Sequence, residues 1–292
     1  MGEKLPAAAV VAAGALWGSM GLFVRHFSAL ALLPVEIGEI RMLLGLVILG
    51  IYLLLRHREL LAVRWKDLWC FAGTGIGSLL LLNWTYYSAM EHASLAVAGV
   101  LLYTAPAFVM LLSALLFRER VTGRKLLALF LAFFGCALVA GIGSDSHVSL
   151  LGLLFGLGAG VSYALYSIFG RYAVARGYGS FTITFYSFVF CVAGGAFFCR
   201  WDAMATAMAA PPSWLWAAAM GLTTAFAPYL LYSYGLQSLE GSRAAILASV
   251  EPVVAALLSV AVFREPMGAL GVLGMALVLS AIVLLSRRAS TS

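Results

Sequence analysis

The sequence predicts an all-α membrane protein in which ten transmembrane helices form two inverted five-helix repeats. Three observations carry this. The chain is 63% hydrophobic and only 10% charged, against roughly 45–50% and 25% for a soluble domain. Apolar runs long enough to cross a bilayer recur along its whole length. The second half also aligns on the first at a constant offset of 146 residues, half of the 292, with no gap.

Bounded by charges or turn residues, the apolar runs fall near 7–25, 34–55, 67–89, 93–117, 124–142, 149–170, 180–199, 213–236, 241–263 and 268–286. The opening MGEKLPAAAVVAAGALWG continues apolar to Val24. That is too long for the apolar region of a signal peptide, so it reads as a retained first helix. Pro34 opens the second helix, where a missing N–H costs nothing. The connections are short and leave no room for a soluble domain of any size. Cys70, Cys136, Cys191 and Cys199 sit in or at the ends of apolar runs without C-x-x-C spacing and read as packing residues. His26, His57, His92 and His147 are scattered through connections, so no metal site is expected.

With ten helices, both termini lie on one face. Of the 18 Lys and Arg, fourteen fall on that face and only Arg25, Arg41, Arg200 and Arg264 on the other. Basic loops stay in the cytoplasm, so both termini are expected inside, in the cytoplasmic membrane. The net charge of +6 then needs no nucleic-acid partner to explain it. The loop RHRELLAVRWK (56–66) reads as a short interfacial segment on anionic lipid.

The duplication is densest where Ala98–Glu119 meets Ala244–Glu265, with 9 of 22 positions identical. Both stretches end in Phe-Arg-Glu, at Phe117–Glu119 and Phe263–Glu265. Five helices per repeat is an odd number, so the second repeat enters the membrane from the opposite side and the two triplets face opposite ways. Inverted repeats let one bundle rock against the other around a midplane site. Each triplet reads as a hinge between the fourth and fifth helices. Its arginine is expected at headgroups, and its glutamate at the N-terminus of the following helix.

Several stretches resemble the ten-helix EamA-type members of the drug/metabolite transporter superfamily. They include ALWGSMGLFVR, IRMLLGLVILG and the long run from YYSAMEHASLAVAGVLLYTAPAF to FLAFFGCALV, with its counterpart YSYGLQSLEGSRAAILASVEPVVAALLSVAVFREP. The resemblance spans nearly the whole chain, with one unit at 7–142 and another at 149–287. It implies a small-molecule transporter in a lipid bilayer, with members exporting amino acids, metabolites or drugs.

Glu251 is the sharpest candidate for binding. It lies about ten residues into helix 9, roughly 15 Å from its start, and Pro252 follows it. An ionisable group at that depth is costly unless it faces water or a partner; the bland alternative is a structural carboxylate held between helices. Arg41, about 10 Å in from the outer surface, has neither Glu36 nor Glu39 at i±3 or i±4. It is expected to find a cross-helix partner, Glu251 among them, or to snorkel. Glu39 and Arg41 are therefore taken as gate or charge-partner residues. Asn83, Tyr86, Tyr87 and Met90 share one face of helix 3, and Tyr229, Tyr232 and Ser233 repeat the stripe in helix 8. Trp17 in helix 1 and Tyr163 and Tyr166 in helix 6 add to the expected lining, with Tyr103 a weaker addition.

The sequence has no G-x-x-x-x-G-K-[ST], and GTGIGS at 73–78 lies inside an apolar run without a preceding strand. No ATP dependence and no cofactor is expected; protons are the candidate coupling ion. The leading expectation is a secondary transporter exporting amino acids or similar metabolites. A hydrophobic-cation exporter is the nearest alternative, since aromatic walls and one carboxylate suit a cation. A lipid-linked flippase or membrane-embedded enzyme is the alternative of another class. Such an enzyme would need clustered acids or a nucleophile–base pair, and the closest pair of acids in a helix is Glu36 and Glu39.

Overall fold

The computed structural model describes residues 3–141, 149–265 and 267–286. Residue 142, His147 and the Arg287–Arg288 pair of the charge count lie outside them. Among the described residues the bundle is built from α1 Lys4–Ser28, α2 Pro34–Arg56, α3 Trp65–His92, α4 Ala96–Phe117, α5 Gly123–Ala140, α6 Leu150–Ala175, α7 Ser180–Gly195, α8 Pro211–Leu236, α9 Gly241–Phe263 and α10 Ala269–Ser286. Among the described residues nine of these are at least 18 residues long and apolar enough to span a membrane, and α7 is apolar but shorter. It ends at Gly195 and not near 199, and a short helix, Trp201–Ala207, follows it. Conversely α6 runs on to Ala175, because Arg171, read above as the end of the apolar run, finds a carboxylate without leaving the helix.

Local chemistry explains the helix ends. Side chains of Ser94, Thr122 and Ser149 accept the backbone N–H groups of Val97, Lys125 and Gly152, capping α4, α5 and α6. Glu36 takes the N–H of Leu33 at the start of α2 (2.7 Å).

The repeat holds down to backbone detail. Both α4 and α9 are broken, at Tyr103–Thr104 and at Ser249–Val250, and each resumes one residue before a proline. Both α3 and α8 contain wide π-helical turns, at Gly73–Leu80 and Gly221–Phe226; such turns recur at functional sites. Arg118 and Arg264 both adopt the left-handed conformation at φ 56°. Just after them the N–H of Glu119 meets the carbonyl of Ser113, and that of Glu265 meets Ser259. The first helices differ: α1 breaks at Ser19, whose hydroxyl bonds the Leu16 carbonyl, while α6 is continuous.

Small residues set the closest approaches. A Cβ on Gly14 would come within 2.5 Å of the Ala248 carbonyl oxygen, and one on Gly18 within 2.6 Å of that of Glu251. Hence α1 lies backbone-to-backbone on the break in α9. Helices α5 and α10 meet the same way: a Cβ on Gly135 would fall 2.7 Å from the Gly274 carbonyl, and one on Gly274 2.6 Å from that of Gly135. The main core joins the two halves, with Val10, Trp17, Met42 and Leu79 packing among Tyr166, Phe188, Tyr232 and Ile246. Large side chains such as Leu115, Phe130, Leu215 and Leu270 point outward, as helices bathed in lipid require.

The two Phe-Arg-Glu corners occupy opposite ends of the bundle. Glu119 sits at the end that holds Glu3, Arg243 and Leu285, which bond one another. Glu265 sits at the far end of α1, against Arg25. The expected capping of the following helix is corrected here. Thr122 caps α5, and Glu119 instead receives the N–H of Gly241 (2.9 Å) and the hydroxyl of Ser242 (2.8 Å) at the start of α9.

Candidate functional site

The break in α9 decides the setting of Glu251. The helix stops at Ala248 and restarts at Glu251, so this carboxylate is the first residue of a 13-residue helix. Its position ten residues into α9 is therefore a helix N-terminus at depth, not the middle of a continuous helix. Such an end presents unpaired N–H groups and the positive pole of the helix dipole, which favour negative charge. Pro252 gives up no hydrogen bond there, because its missing N–H is one of the unpaired ones. Among the described residues the Glu251 carboxylate has neither a hydrogen bond nor an ion pair. It lies within electrostatic reach of Arg41, Tyr86, Tyr103, Tyr163, Tyr229 and Cys136.

Arg41 approaches from α2 on the other side. One terminal nitrogen, Nη1, lies 3.8 Å from the Met20 sulfur, just past the break in α1. Its Nε is buried without a partner, and among the described residues no carboxylate stands within ion-pair distance. Electrostatic reach extends to Glu251, Tyr87 and Tyr229. The two charges expected to pair thus lie within electrostatic reach without forming an ion pair. Glu39, two residues earlier, diverges from them. It is 4% exposed, packs against Gly195 of α7, and its Oε1 has no partner.

The aromatic residues divide into two groups. Trp17 stands at the centre of the first, with ring centroids 5.1 Å from Tyr229, 5.5 Å from Tyr232 and 6.3 Å from Tyr163. With Ser78, Leu79, Leu82 and Tyr166 these residues line a cavity of about 20 Å³, enough for a single water. Two orphaned polar groups border it, Trp17 Nε1 and Ser78 Oγ. On its far wall the Tyr166 hydroxyl bonds Ser233 (2.9 Å) and the Tyr232 hydroxyl bonds Ser167 (2.7 Å).

The second group is the α3 stripe, which fans out. Tyr86 lies within electrostatic reach of Glu251 and Tyr87 within that of Arg41, while Asn83 rests on Gly38 of α2, where an added Cβ would lie 3.1 Å from its Nδ2. Trp17, Tyr163 and Tyr229 therefore line the small cavity, and Tyr86, Tyr87, Tyr103, Arg41 and Glu251 form a set linked by electrostatic reach. The structure commits Tyr166 and Tyr232 to hydrogen bonds and leaves Asn83 and Glu39 at the edges.

Met20 shares the helix-1 face of Trp17 and reads with it, but sequence reasoning missed Ser78, which lies in the π-helical turn at Gly73–Leu80. Sequence reasoning also missed that Arg200 closes the Pro34 end of α2. The Arg200 Nε and Nη2 meet both oxygens of Glu36, at 2.6 and 3.0 Å. Outside the spanning helices, this contact raises the pKa of Arg200 further.

Comparison with known proteins bears on what the site serves. The profile of the EamA-like transporter family matches residues 5–141 and again 150–287. An uncharacterized transporter of Archaeoglobus fulgidus is 32% identical over 201 residues, covering 68% of this chain and 70% of its own. A second from that organism is 26% identical over 93% of this chain and 95% of its own. The threonine/homoserine exporter RhtA of Salmonella typhimurium is 27% identical over 72% and 68% of the two chains. A solved crystal structure superposes with a TM-score of 0.77 at 19% identity, covering 96% of this chain and 95% of its own, which speaks for the fold alone. A duplicated bundle of apolar helices around an interior polar site, matched twice by one profile, leaves a plain conclusion: this chain is a multi-pass membrane transporter that belongs to the EamA-like transporter family.

Proposed function

We propose that this transporter exports amino acids or closely related zwitterions across the cytoplasmic membrane, by alternating access around the space between Arg41 and Glu251. One observation carries the reading: a half-buried cation and a carboxylate lie within electrostatic reach of each other, and among the described residues neither has an ionic partner. Unpaired charge at membrane depth is retained for a ligand, for water or for an ion. A zwitterion answers both groups at once, with its carboxylate on the Arg41 guanidinium and its ammonium on Glu251. The tyrosines and Trp17 form the wall for a small side chain. The named activity of RhtA, export of threonine and homoserine, supports the same substrate class. With both termini cytoplasmic, as the distribution of Lys and Arg favours, Glu119 lies at the inner end and Glu265 at the outer. Glu251 exchanging a proton for the substrate ammonium would couple export to the proton gradient.

A thermal-shift screen of the purified protein against amino acids, amines and organic acids, followed by counterflow in proteoliposomes, tests this. The expected result is stabilisation and exchange by small zwitterions, lost in both Arg41→Met and Glu251→Gln. A response to hydrophobic amines that survives Arg41→Met would instead establish the cation reading that the aromatic wall also suits.

A further inference from the structure

The two Phe-Arg-Glu corners are wired to each other's repeat. Arg25 in α1 pairs with Glu265, and Arg171 in α6 pairs with Glu119. Arg25 and Arg171 are themselves equivalent at the 146-residue offset, as are Glu119 and Glu265. The phenylalanines join in: the Arg25 guanidinium lies 3.8 Å from the Phe263 ring centre, and that of Arg171 5.0 Å from Phe117. Each arginine of one repeat is thus held by the Phe and Glu of the other, once at each end of the bundle.

The two ends are not in the same state. At the terminal end Glu119 is 5% exposed and Arg171 24%. There Glu119 also grips the first turn of α9 through Gly241 and Ser242, and Lys125 bridges Glu119 (3.9 Å) and Glu240 (2.5 Å). At the far end Glu265 is 47% exposed and Arg25 50%. Apart from Arg25, the contact that Glu265 makes is with Ser259 on its own helix, and it borders an open pocket of about 340 Å³ between α5, α9 and α10. Ser259 first, then Arg25, holds its carboxyl below the usual carboxylate range. The position equivalent to the gripped turn at Gly241–Ser242 is Leu95–Ala96, the start of α4. In this structure the side chain of Ser94 satisfies that turn, through Val97, and Glu265 does not.

We propose that Glu119 with Arg171 and Glu265 with Arg25 are alternating gate latches. Each grips the first turn of a broken helix, α9 or α4, when its end of the transporter is shut, and only one grips at a time. The structure holds the terminal end shut and the far end slack. Exchanging the conformations of the two inverted repeats, the operation that underlies alternating access in such folds, moves the grip from Glu119 on Gly241–Ser242 to Glu265 on Leu95–Ala96. The inference rests on alternating access and not on any substrate.

Disulfide trapping in the full-length protein, with the four native cysteines replaced, tests it without a substrate. The pair Glu119→Cys with Ser242→Cys is expected to cross-link readily. Glu265→Cys with Ala96→Cys is expected to cross-link poorly, and its yield to rise about tenfold when Glu119→Gln is added, since releasing one latch populates the other state. A far-end yield indifferent to residue 119, or high from the start, would overturn the proposal. Hydrogen exchange on Glu119→Gln alone, with all native cysteines in place, gives a second reading. Faster exchange at the start of α9 with slower exchange at the start of α4 is expected. Faster exchange at α9 with no change at α4, or faster exchange at both, would reduce Glu119 to a structural cap. Neither readout uses substrate, so a failed amino-acid screen and a failed latch remain separate results.

Discussion

The seam between α6 and α8 and the space around the break in α9 are built from the same residue types and treat them differently. In the seam, Tyr166 bonds Ser233 and Tyr232 bonds Ser167, and both serines are fully buried. Around the break, Glu251, Tyr86, Tyr87 and Tyr103 make no hydrogen bonds through their side chains among the described residues, and Arg41 Nε is orphaned. Lipid offers no partner to a polar group, so bonds made within the bundle are structure, and polar groups left over answer to something that comes and goes. The contrast separates tyrosines that a helical-face argument on the sequence cannot tell apart.

The largest effect belongs to Glu251→Gln. Zwitterion exchange in proteoliposomes is expected to fall by about 100-fold or more, the scale for removing one charge from a desolvated recognition pair. The remaining flux should lose its dependence on the pH gradient; unchanged pH-driven flux would refute the proton role. Next comes Arg41→Lys, which keeps the charge but loses the planar fork. A loss of about tenfold in counterflow is expected, larger for substrates with a carboxylate than for amines; equal losses would remove Arg41 from recognition. Tyr86→Phe and Tyr103→Phe should each weaken substrate stabilisation in thermal shift only a few-fold, as for single neutral hydrogen bonds. The smallest effect on substrate is expected from Tyr232→Phe. It should leave affinity intact and lower stability by about 1 kcal/mol, the usual range for interhelical hydrogen bonds in membranes, read as a drop in melting temperature without ligand. A selective affinity loss there would erase the distinction between the two regions.

The sequence announced the parts of this fold that depend on local pattern. Apolar runs located the helices, and the 146-residue offset paired the two Phe-Arg-Glu corners, whose shared left-handed Arg118 and Arg264 the structure adds. The breaks were hidden, because Pro106 and Pro252 each remove only an N–H that a helix start leaves unpaired anyway; in sequence the same proline suits a kink and a restart equally well. The widened turns in α3 and α8 were hidden too, since glycine permits a π turn without requiring one. The partner of Glu119 was out of reach for another reason. Capping logic looks a few residues along the chain, whereas Gly241 is 122 residues away and comes close only once the repeats interlock. Arg41 and Glu251 were named, but that they would lie within electrostatic reach without forming an ion pair is a matter of tertiary distance.

The backbone contact between Gly135 and Gly274 has a mechanical meaning. Helices that interlock through large side chains behave as meshed gears: sliding or turning one against the other forces each ridge out of its groove. Where α5 meets α10, the glycines instead leave a notch on each surface, Gly135 receiving the Val278 side chain and Gly274 that of Leu138, so the backbones come together where neither helix raises a ridge of its own. A single added methyl, from Gly274→Ala, would put a tooth where α10 has its notch.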